Sequence, residues 1–387
     1  MDVTLFNNST SGTLVEISGS DPVRGPWRHH AFRPRPLDDA PPELSSPTYL
    51  AVANARASLA ALDSTAQRLP DPTLLRMPTV RREAQATSAL EGTYAPLVDV
   101  LALEDEAPEG TDLREVHNYV TMAAHAFDLV GEGRPLSVPV LEDLQHMLLR
   151  GTRAEATTTG HVRESQVVIG RRPDAPPGAA PIHAARFIPP PGDETLRADV
   201  RELLTWVGSD HSASIDPVVA TALAHYQFET LHPFHDGNGR LGRLLVVLHL
   251  QSTGVLREPT LTISPWFEAR RAEYYDRLMS VSTDGDVDGF VGFFAQGLHE
   301  SAAATHRHML ALVTVQDELK DVVRASPLRA ESALALVDVA VGYPFFTVKR
   351  AATELGVSIG RANGLVGQLS DLGVLAQWGT DTYKRRF

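Results

Sequence analysis

The segment "ETLHPFHDGNGRLGRLL", residues 229–245, gathers two histidines, two carboxylates, three glycines and two arginines where a helix begins. Each residue type has a use beside a polyphosphate. Gly237, Asn238 and Gly239 precede the helical stretch "RLGRLLVVLHL". A glycine-rich turn feeding a helix N-terminus offers unpaired backbone N–H groups and the positive end of the helix dipole. Arg240 and Arg243 are three apart, share a helix face and can bracket further phosphate oxygens. Two cations at a helix start oppose the dipole, so the pattern expects an anion to offset them. Asp236 supplies the hard oxygen that Mg²⁺ requires beside phosphates. His232 has the basicity of a general base near neutral pH. Together these parts describe a site for phosphoryl or nucleotidyl transfer. The competing readings are a tight "DGNG" turn, or a metal held by His232, His235 and Asp236. The metal reading leaves both arginines without a task, and Pro233 breaks the helical spacing of the histidines.

A second constellation lies upstream. In "TSALEG", residues 87–92, Thr87 and Glu91 are four apart on one helix face and Gly92 ends the helix. A carboxylate at the negative end of a helix dipole calls for an external cation. A plain C-cap with an exposed Glu91 is the alternative.

"HPFHDGNGRLGR" resembles the Fic motif, His-x-Phe-x-Asp/Glu-Gly-Asn-Gly-Arg-x-x-Arg, at every fixed position. "TSALEG" resembles the inhibitory motif of that family, Ser/Thr-x-x-x-Glu-Gly/Asn. "WRHHAFRPRPL" and "EAQATSALEGTYAPLVDV" resemble the region that precedes such cores. "GHVRESQVVIG" with "ARFIPPP" resembles the flap, with Thr159 where a proline is common. The resemblance implies transfer of AMP from ATP–Mg²⁺ to a Ser, Thr or Tyr hydroxyl of a target protein, and to the enzyme itself. It implies that His232 is the base and Asp236 holds Mg²⁺. Gly237, Asn238 and Gly239 would form the anion hole, Arg240 would stabilise the leaving phosphates and Arg243 would bind the γ-phosphate. Phe234 would anchor the loop and Tyr275 would lie near the adenine. Val167, Val168, Ile169, Phe187 and Ile188 of the flap would pair with an extended target segment. Glu91, supported by Thr87 and Gly92, would occupy Arg243 and inhibit the enzyme from within its own chain. Two other functions stay open: a Fic enzyme that mainly removes AMP, and a DNA-binding regulator whose Fic core senses nucleotide.

Positioning such residues needs a sizeable scaffold. The 387 residues suffice for two or three domains. The expected class is mainly α, a Fic-type helical core with a short β-hairpin flap and a C-terminal winged helix. The expected division is 1–110 for an N-terminal arm and inhibitory helix, 111–322 for the catalytic core and 323–387 for the winged helix. Residues 22–48 are Pro-rich and read as an extended arm, while residues 1–21 carry no readable signal. Val52, Ala55, Leu59, Leu62, Ala66 and Leu69 mark a first helix from about Thr48. Further helices are expected at about 80–91, 112–130, 137–150, 195–207, 215–230, 239–253, 264–280 and 286–320. "SQVVIG" and "ARFIP" are β-like pieces of a flap. "FFTVKRAATELGVSIGRANGLVGQLSDLGVLAQWG" reads as helix, turn at Gly356, helix and strand, the winged-helix pattern.

The net charge of −13 argues against a protein that binds nucleic acid or membrane over its whole surface. From Phe345 to Phe387 six basic residues face three acidic ones, a weak footprint for DNA. With no cysteine, disulfides, thiolate catalysis and Cys–zinc sites are excluded. The start "MDVTLFNNSTSGTLVEIS" lacks the pattern of a signal peptide and no apolar run could span a bilayer. A soluble, cytoplasmic protein is expected, and apolar faces on the N-terminal helices would permit a homodimer.

Overall fold

The computed structural model describes residues 1–21, 25–68, 72–103, 108, 110–328, 331–378 and 386–387. The chain opens with a two-stranded antiparallel hairpin, β1 (Gly12–Asp21) and β2 (Gly25–Pro34), in which Leu14 faces Phe32 and Ile17 faces His29. This corrects the reading of an arm: strands, not an extended tether, occupy 12–21 and 25–34. Helices α1 (Ser46–Arg68) and α2 (Pro72–Leu90) follow, then the short α3 (Leu97–Leu101). α2 begins well before the expected Val80 and runs through Pro78. The next helices are α4 (Thr111–Gly131) and α5 (Val138–Leu149).

A flap separates α5 from the helices that flank the motif loop. It pairs β3 (Ile169–Arg171) with β4 (Ala185–Phe187), preceded by the one-turn α6 (Pro181–Ala184). Then come α7 (Glu194–Val207), α8 (Pro217–Leu231) and α9 (Asn238–Ser252). The expected helix over 264–280 is two helices, α10 (Ser264–Ala269) and α11 (Arg271–Asp284), which break at Arg270. α12 (Val287–Ala325) has 39 residues, about 58 Å at 1.5 Å per residue. The C-terminal helices are α13 (Glu331–Gly342), α14 (Val348–Leu355) and α15 (Ile359–Asp371).

Capping explains several boundaries. Asp216 caps α8 with Pro217 at its first position, Asp193 caps α7, and Thr347 and Ser358 cap α14 and α15. Gly356, at φ 62°, ends α14 as the turn of a helix–turn–helix pair. Trp378 and Thr347 each form an antiparallel bridge to Arg386. The expected basic tail at Lys384 and Arg385 lies outside the described residues, as does Leu69.

The described residues bury three apolar cores. The main one takes Leu59 and Leu62 of α1, Leu90 of α2, Tyr119 of α4, Phe228 of α8, Leu244 of α9 and Phe294 of α12. α1 lies along α12, and α2 packs on α4, α9, α10 and α13. The helices upstream of residue 110 therefore share one core with α4, α8, α9 and α12. A second core joins Val323 to Leu336, Ala351, Leu365 and Phe387. The third joins Phe6 and Phe32 to Phe187 and Ile188, clamping the N-terminal hairpin onto the flap. No described helix is long and apolar enough to cross a membrane.

Candidate active site

The loop between α8 and α9 is built from its backbone outward. α8 ends at His232, which adopts φ 49° and ψ 61° and is the one non-glycine residue with positive φ among the described residues. That conformation costs about 1–2 kcal/mol for a residue with a Cβ, so neighbours must hold it. Arg163 does so. Its Nε donates to the His232 carbonyl at 2.8 Å, and its other nitrogens reach Ser165 O, Pro190 O and Leu231 O at 3.0, 2.6 and 3.3 Å. Its own backbone N–H donates to Pro233 O at 2.9 Å. Burial pushes the Arg163 guanidinium down to about 10.

Phe234 is fully buried, as an apolar anchor should be. The Asn238 side chain clamps it, accepting from Phe234 N at 2.9 Å and donating to Phe234 O at 2.8 Å. Asn238 thus braces the loop with its side chain and adds its backbone N–H to the first turn of α9. Gly237 caps α9 at φ 86°, where a side chain would be strained and would meet Leu148. By helix geometry the N–H groups of the first turn of α9 have no partner within the helix. Gly239 must also lack a side chain, because a Cβ there would meet Glu91 Oε1 and Arg243 Nη1. Together, the positive φ of Gly237 and the bare Cα of Gly239 leave an open cradle at the N-terminus of α9.

His232 faces this cradle, part-buried. Its Nδ1 lies 3.3 Å from the Glu229 carbonyl, and the tautomer that donates there leaves the Nε2 lone pair free. Burial first, and the charge of Arg163 second, push its pKa down to about 4, so it is neutral at pH 7. Arg240 is buried and fixed by two carboxylates, Glu115 Oε2 of α4 at 3.0 Å and Asp236 Oδ1 at 2.9 Å. Thr93 Oγ1 donates to the same Glu115 oxygen at 2.8 Å. Asp236 Oδ1 also accepts from Gly237 N, while its side chain is 46% exposed. One accessible carboxylate beside an anion cradle is the usual protein share of a Mg²⁺ site, whose other ligands are phosphate and water. The donor set fits that ion.

Arg243 is fully buried and held from α2. Its Nε donates to Thr87 Oγ1 at 2.8 Å, and its Nη2 donates to Thr87 O at 3.1 Å and Glu91 Oε1 at 2.6 Å. Gly92, at φ 93°, ends α2 beneath this contact. Burial alone would raise the Glu91 carboxyl, but the Arg243 charge and hydrogen bond overcome it and hold the pKa below the ordinary value. The pair joins residues 152 apart in the chain. α2 is itself stapled in place by Glu83, a buried carboxylate that accepts from Ser264 N at 3.0 Å and from Ser264 Oγ. Arg81 adds bonds to Leu101 O and Leu103 O, both 2.7 Å.

A cavity of about 360 Å³ opens over the cradle, lined by His232, Gly239, Arg243, Glu91, Tyr275 and Glu229 among others. Val168, Ile169 and Phe187 of the flap line it too. Val167 is half-buried nearby in sequence, outside that lining. Ile188 is different: it is fully buried in the third core and its carbonyl accepts from Phe32 N at 2.9 Å. Its side chain is therefore not available to a target segment, because the N-terminal hairpin already covers it.

Residues 49–128 match the model of the Fic/DOC family N-terminal region, and residues 135–250 match the model of the Fic/DOC family. This chain belongs to the Fic family. It is 27% identical over 240 residues to protein adenylyltransferase fic-1 of Caenorhabditis elegans, a stretch covering 60% of this chain and 42% of that protein. It is 35% identical over 136 residues to protein adenylyltransferase Fic of Drosophila melanogaster, covering 35% of this chain and 23% of that one. The matched stretches thus span less than half the length of these relatives. A solved Fic family protein from Desulfovibrio desulfuricans G20 shares the fold, with a TM-score of 0.55 at 22% identity over 90% of this chain and 97% of its own.

Three residues that shape this Fic loop carry no signal in the sequence, and a fourth carries only its place beside the motif. Glu115, Arg163 and Glu83 are single charges in helical or loop segments whose partners lie far away. Glu229 has a buried Oε1 with no hydrogen-bond partner among the described residues. Burial raises its carboxyl to about 7, against the opposing charge of Arg243. A near-motif position for Glu229 was the one available hint.

Proposed function

We propose that this chain is an autoinhibited protein adenylyltransferase, moving AMP from ATP to a Ser, Thr or Tyr hydroxyl of a target protein and of itself. The observation that carries this reading is the double engagement of one loop. An anion cradle with a free imidazole Nε2 lies at one end, and at the other Arg243 is taken by Thr87 and Glu91.

In the productive state, the cradle N–H groups and Arg240 hold the polyphosphate, and Arg243 pairs with the γ-phosphate once Glu91 has left. His232 Nε2 accepts the hydroxyl proton as that oxygen attacks the α-phosphorus. A new P–O bond to the target forms, the bond between α-phosphorus and its bridging oxygen breaks, and pyrophosphate leaves with the electron pair. Asp236 would hold Mg²⁺, which supplies charge neutralisation on the phosphates. The nearby negative charge of bound ATP raises the His232 pKa from its ligand-free position toward the working pH. Val168 and Ile169 present the flap edge to an extended target segment. The Tyr275 ring, half-buried on the cavity wall, is placed to meet the base. We assign the C-terminal helix–turn–helix to a winged helix that makes protein contacts, since α15 carries one arginine, Arg361, in 13 residues.

Incubation with α-labelled ATP tests the proposal. Glu91→Gly is expected to raise self-labelling, and His232→Ala in that background to abolish it. Equal low labelling of wild type and Glu91→Gly would remove inhibition from the account. Labelling that survives loss of His232 would remove the base.

A further inference from the structure

The largest cavity among those described is not over the Fic loop. About 790 Å³ in volume, it lies between the outer face of α2, α3, α10 and the middle of α12. That volume falls inside the roughly 300–1,000 Å³ of ligand sites, which are mainly apolar with a few placed polar groups. Its apolar lining includes Leu97, Leu101, Trp266, Met309, Leu312 and Val315. Leu97 and Val315 are 36% and 45% exposed, an apolar surface left open to water.

The polar lining is one-sided in charge. Arg82 of α2 and Arg307 and His308 of α12 all line the cavity. Arg82 Nη1 lies 3.5 Å from His308 Nδ1, so a guanidinium faces an imidazole rather than a carboxylate. Both arginines depress the His308 pKa, after burial as the larger cause. Among the described residues neither Arg82 nor Arg307 forms an ion pair. The one acid on the lining, Glu300, is already taken by Arg270 at 3.3 Å and by Trp266 Nε1 at 2.8 Å. Arg82 and Arg307 are exposed charges at the rim of an apolar pocket, and the imidazole of His308, with its lowered pKa, accepts from Arg82 without neutralising it. A protein whose net charge is −13 has acids to spare, yet among the described residues it pairs none with Arg82 or Arg307.

We propose that this cavity binds a small amphiphilic anion, an apolar chain bearing one carboxylate, with its tail against Leu101, Leu312 and Trp266 and its head between Arg82 and Arg307. The head replaces the missing acid and forms charge-assisted hydrogen bonds to two guanidinium groups. The tail covers the exposed leucine and valine side chains. The site is separate from the Fic loop and its existence does not depend on the adenylyltransferase reading.

Dodecanoate titrated into the full chain by calorimetry is the test, with dodecanol as the uncharged probe of equal tail length. Saturable one-to-one binding of dodecanoate is expected, at least tenfold tighter than dodecanol. The double variant Arg82→Glu/Arg307→Glu should weaken dodecanoate at least tenfold and leave dodecanol within about twofold. Ala304→Trp, which fills the cavity from α12 and leaves the charges in place, should abolish both. Circular dichroism establishes that each variant is folded. No saturable binding by wild type, equal affinity for acid and alcohol, or unchanged affinity in either folded variant would each overturn the proposal.

Discussion

Arg163 makes a sharp prediction because its energy and its geometry can be worked separately. It donates to four backbone carbonyls, two of them at the end of α8 where His232 turns. Hydrogen bonds from a charged donor contribute roughly 1.5–3 kcal/mol each, a gross figure of about 6–12 kcal/mol for four. Against this stands the cost of burying the guanidinium. Its pKa is pushed from 12.5 to about 10, a penalty of about 3 kcal/mol at 1.36 kcal/mol per unit. Arg163→Met removes the gain and the penalty together, so a net loss of about 3 kcal/mol or more is expected. For a chain of this size that is a fall in Tm of roughly 5 °C. The positive φ of His232 is also released from its main tether, and a displacement of about 1 Å at a reacting group costs up to about 100-fold in rate. Arg163→Lys separates the two effects. A lysine can keep the charge and some of the bonds but cannot span the same fork. Thermal melts of both variants, and single-turnover labelling in the Glu91→Gly background, are the assays. Arg163→Lys is expected to melt within a few degrees of wild type yet label at least tenfold more slowly. Labelling by Arg163→Lys within twofold of its parent would refute the positioning role. A melt of Arg163→Met equal to wild type would refute the energy estimate.

Further predictions concern the same network. Glu83→Ala removes the staple between α2 and α10, and self-labelling should rise severalfold while Tm falls; unchanged labelling together with an unchanged Tm would contradict the staple. Glu229 is raised from 4.5 to about 7 by burial, so between those values the folded state holds a proton that the unfolded chain has released. Its contribution to stability is complete below about pH 4.5 and declines through pH 7, by about 3 kcal/mol in all. The melting difference between Glu229→Gln and wild type should accordingly shift in favour of the variant from pH 5 to pH 8, and a difference that is flat with pH would exclude a buried proton there. Gly237→Ala places a Cβ at positive φ against Leu148 and should cost about 1–2 kcal/mol, read from denaturant unfolding. The full chain should not shift a DNA duplex in low-salt electrophoresis; a shift that fades with added salt would return the winged helix to the DNA-binding reading.

What could be read from the sequence follows how local each feature is. The Fic loop was legible because its chemistry sits in twelve consecutive residues. The pairing of Glu91 with Arg243 was legible only through resemblance, since 152 residues separate them and α2 alone would pass for a helix with an ordinary C-cap. Glu115 and Arg163 were not legible: each is a lone charge whose role depends on a carbonyl or guanidinium delivered by the tertiary fold. The N-terminal hairpin was obscured because β2 carries proline at both ends and two histidines, which mask its alternation. Its reason for existing is Phe6 and Phe32 packing on Phe187 of the flap, information absent from either strand. The start of α2 was misplaced because Pro78 reads as a stop, yet its helix continues through it against α4 and α10.

The contact between Thr87, Glu91 and Arg243 lies within one covalent chain, and under the proposed autoinhibition this would give the restraint its kinetic character. Its release is a first-order event with an equilibrium constant independent of how many copies of the protein are present. On that reading dilution would not free the loop and overexpression would not bind it tighter. At a fixed ATP level the active fraction is then a property of a single molecule, adjustable only by whatever pulls on α2, and a labelling rate that scales linearly with protein across a thousandfold range would be its signature.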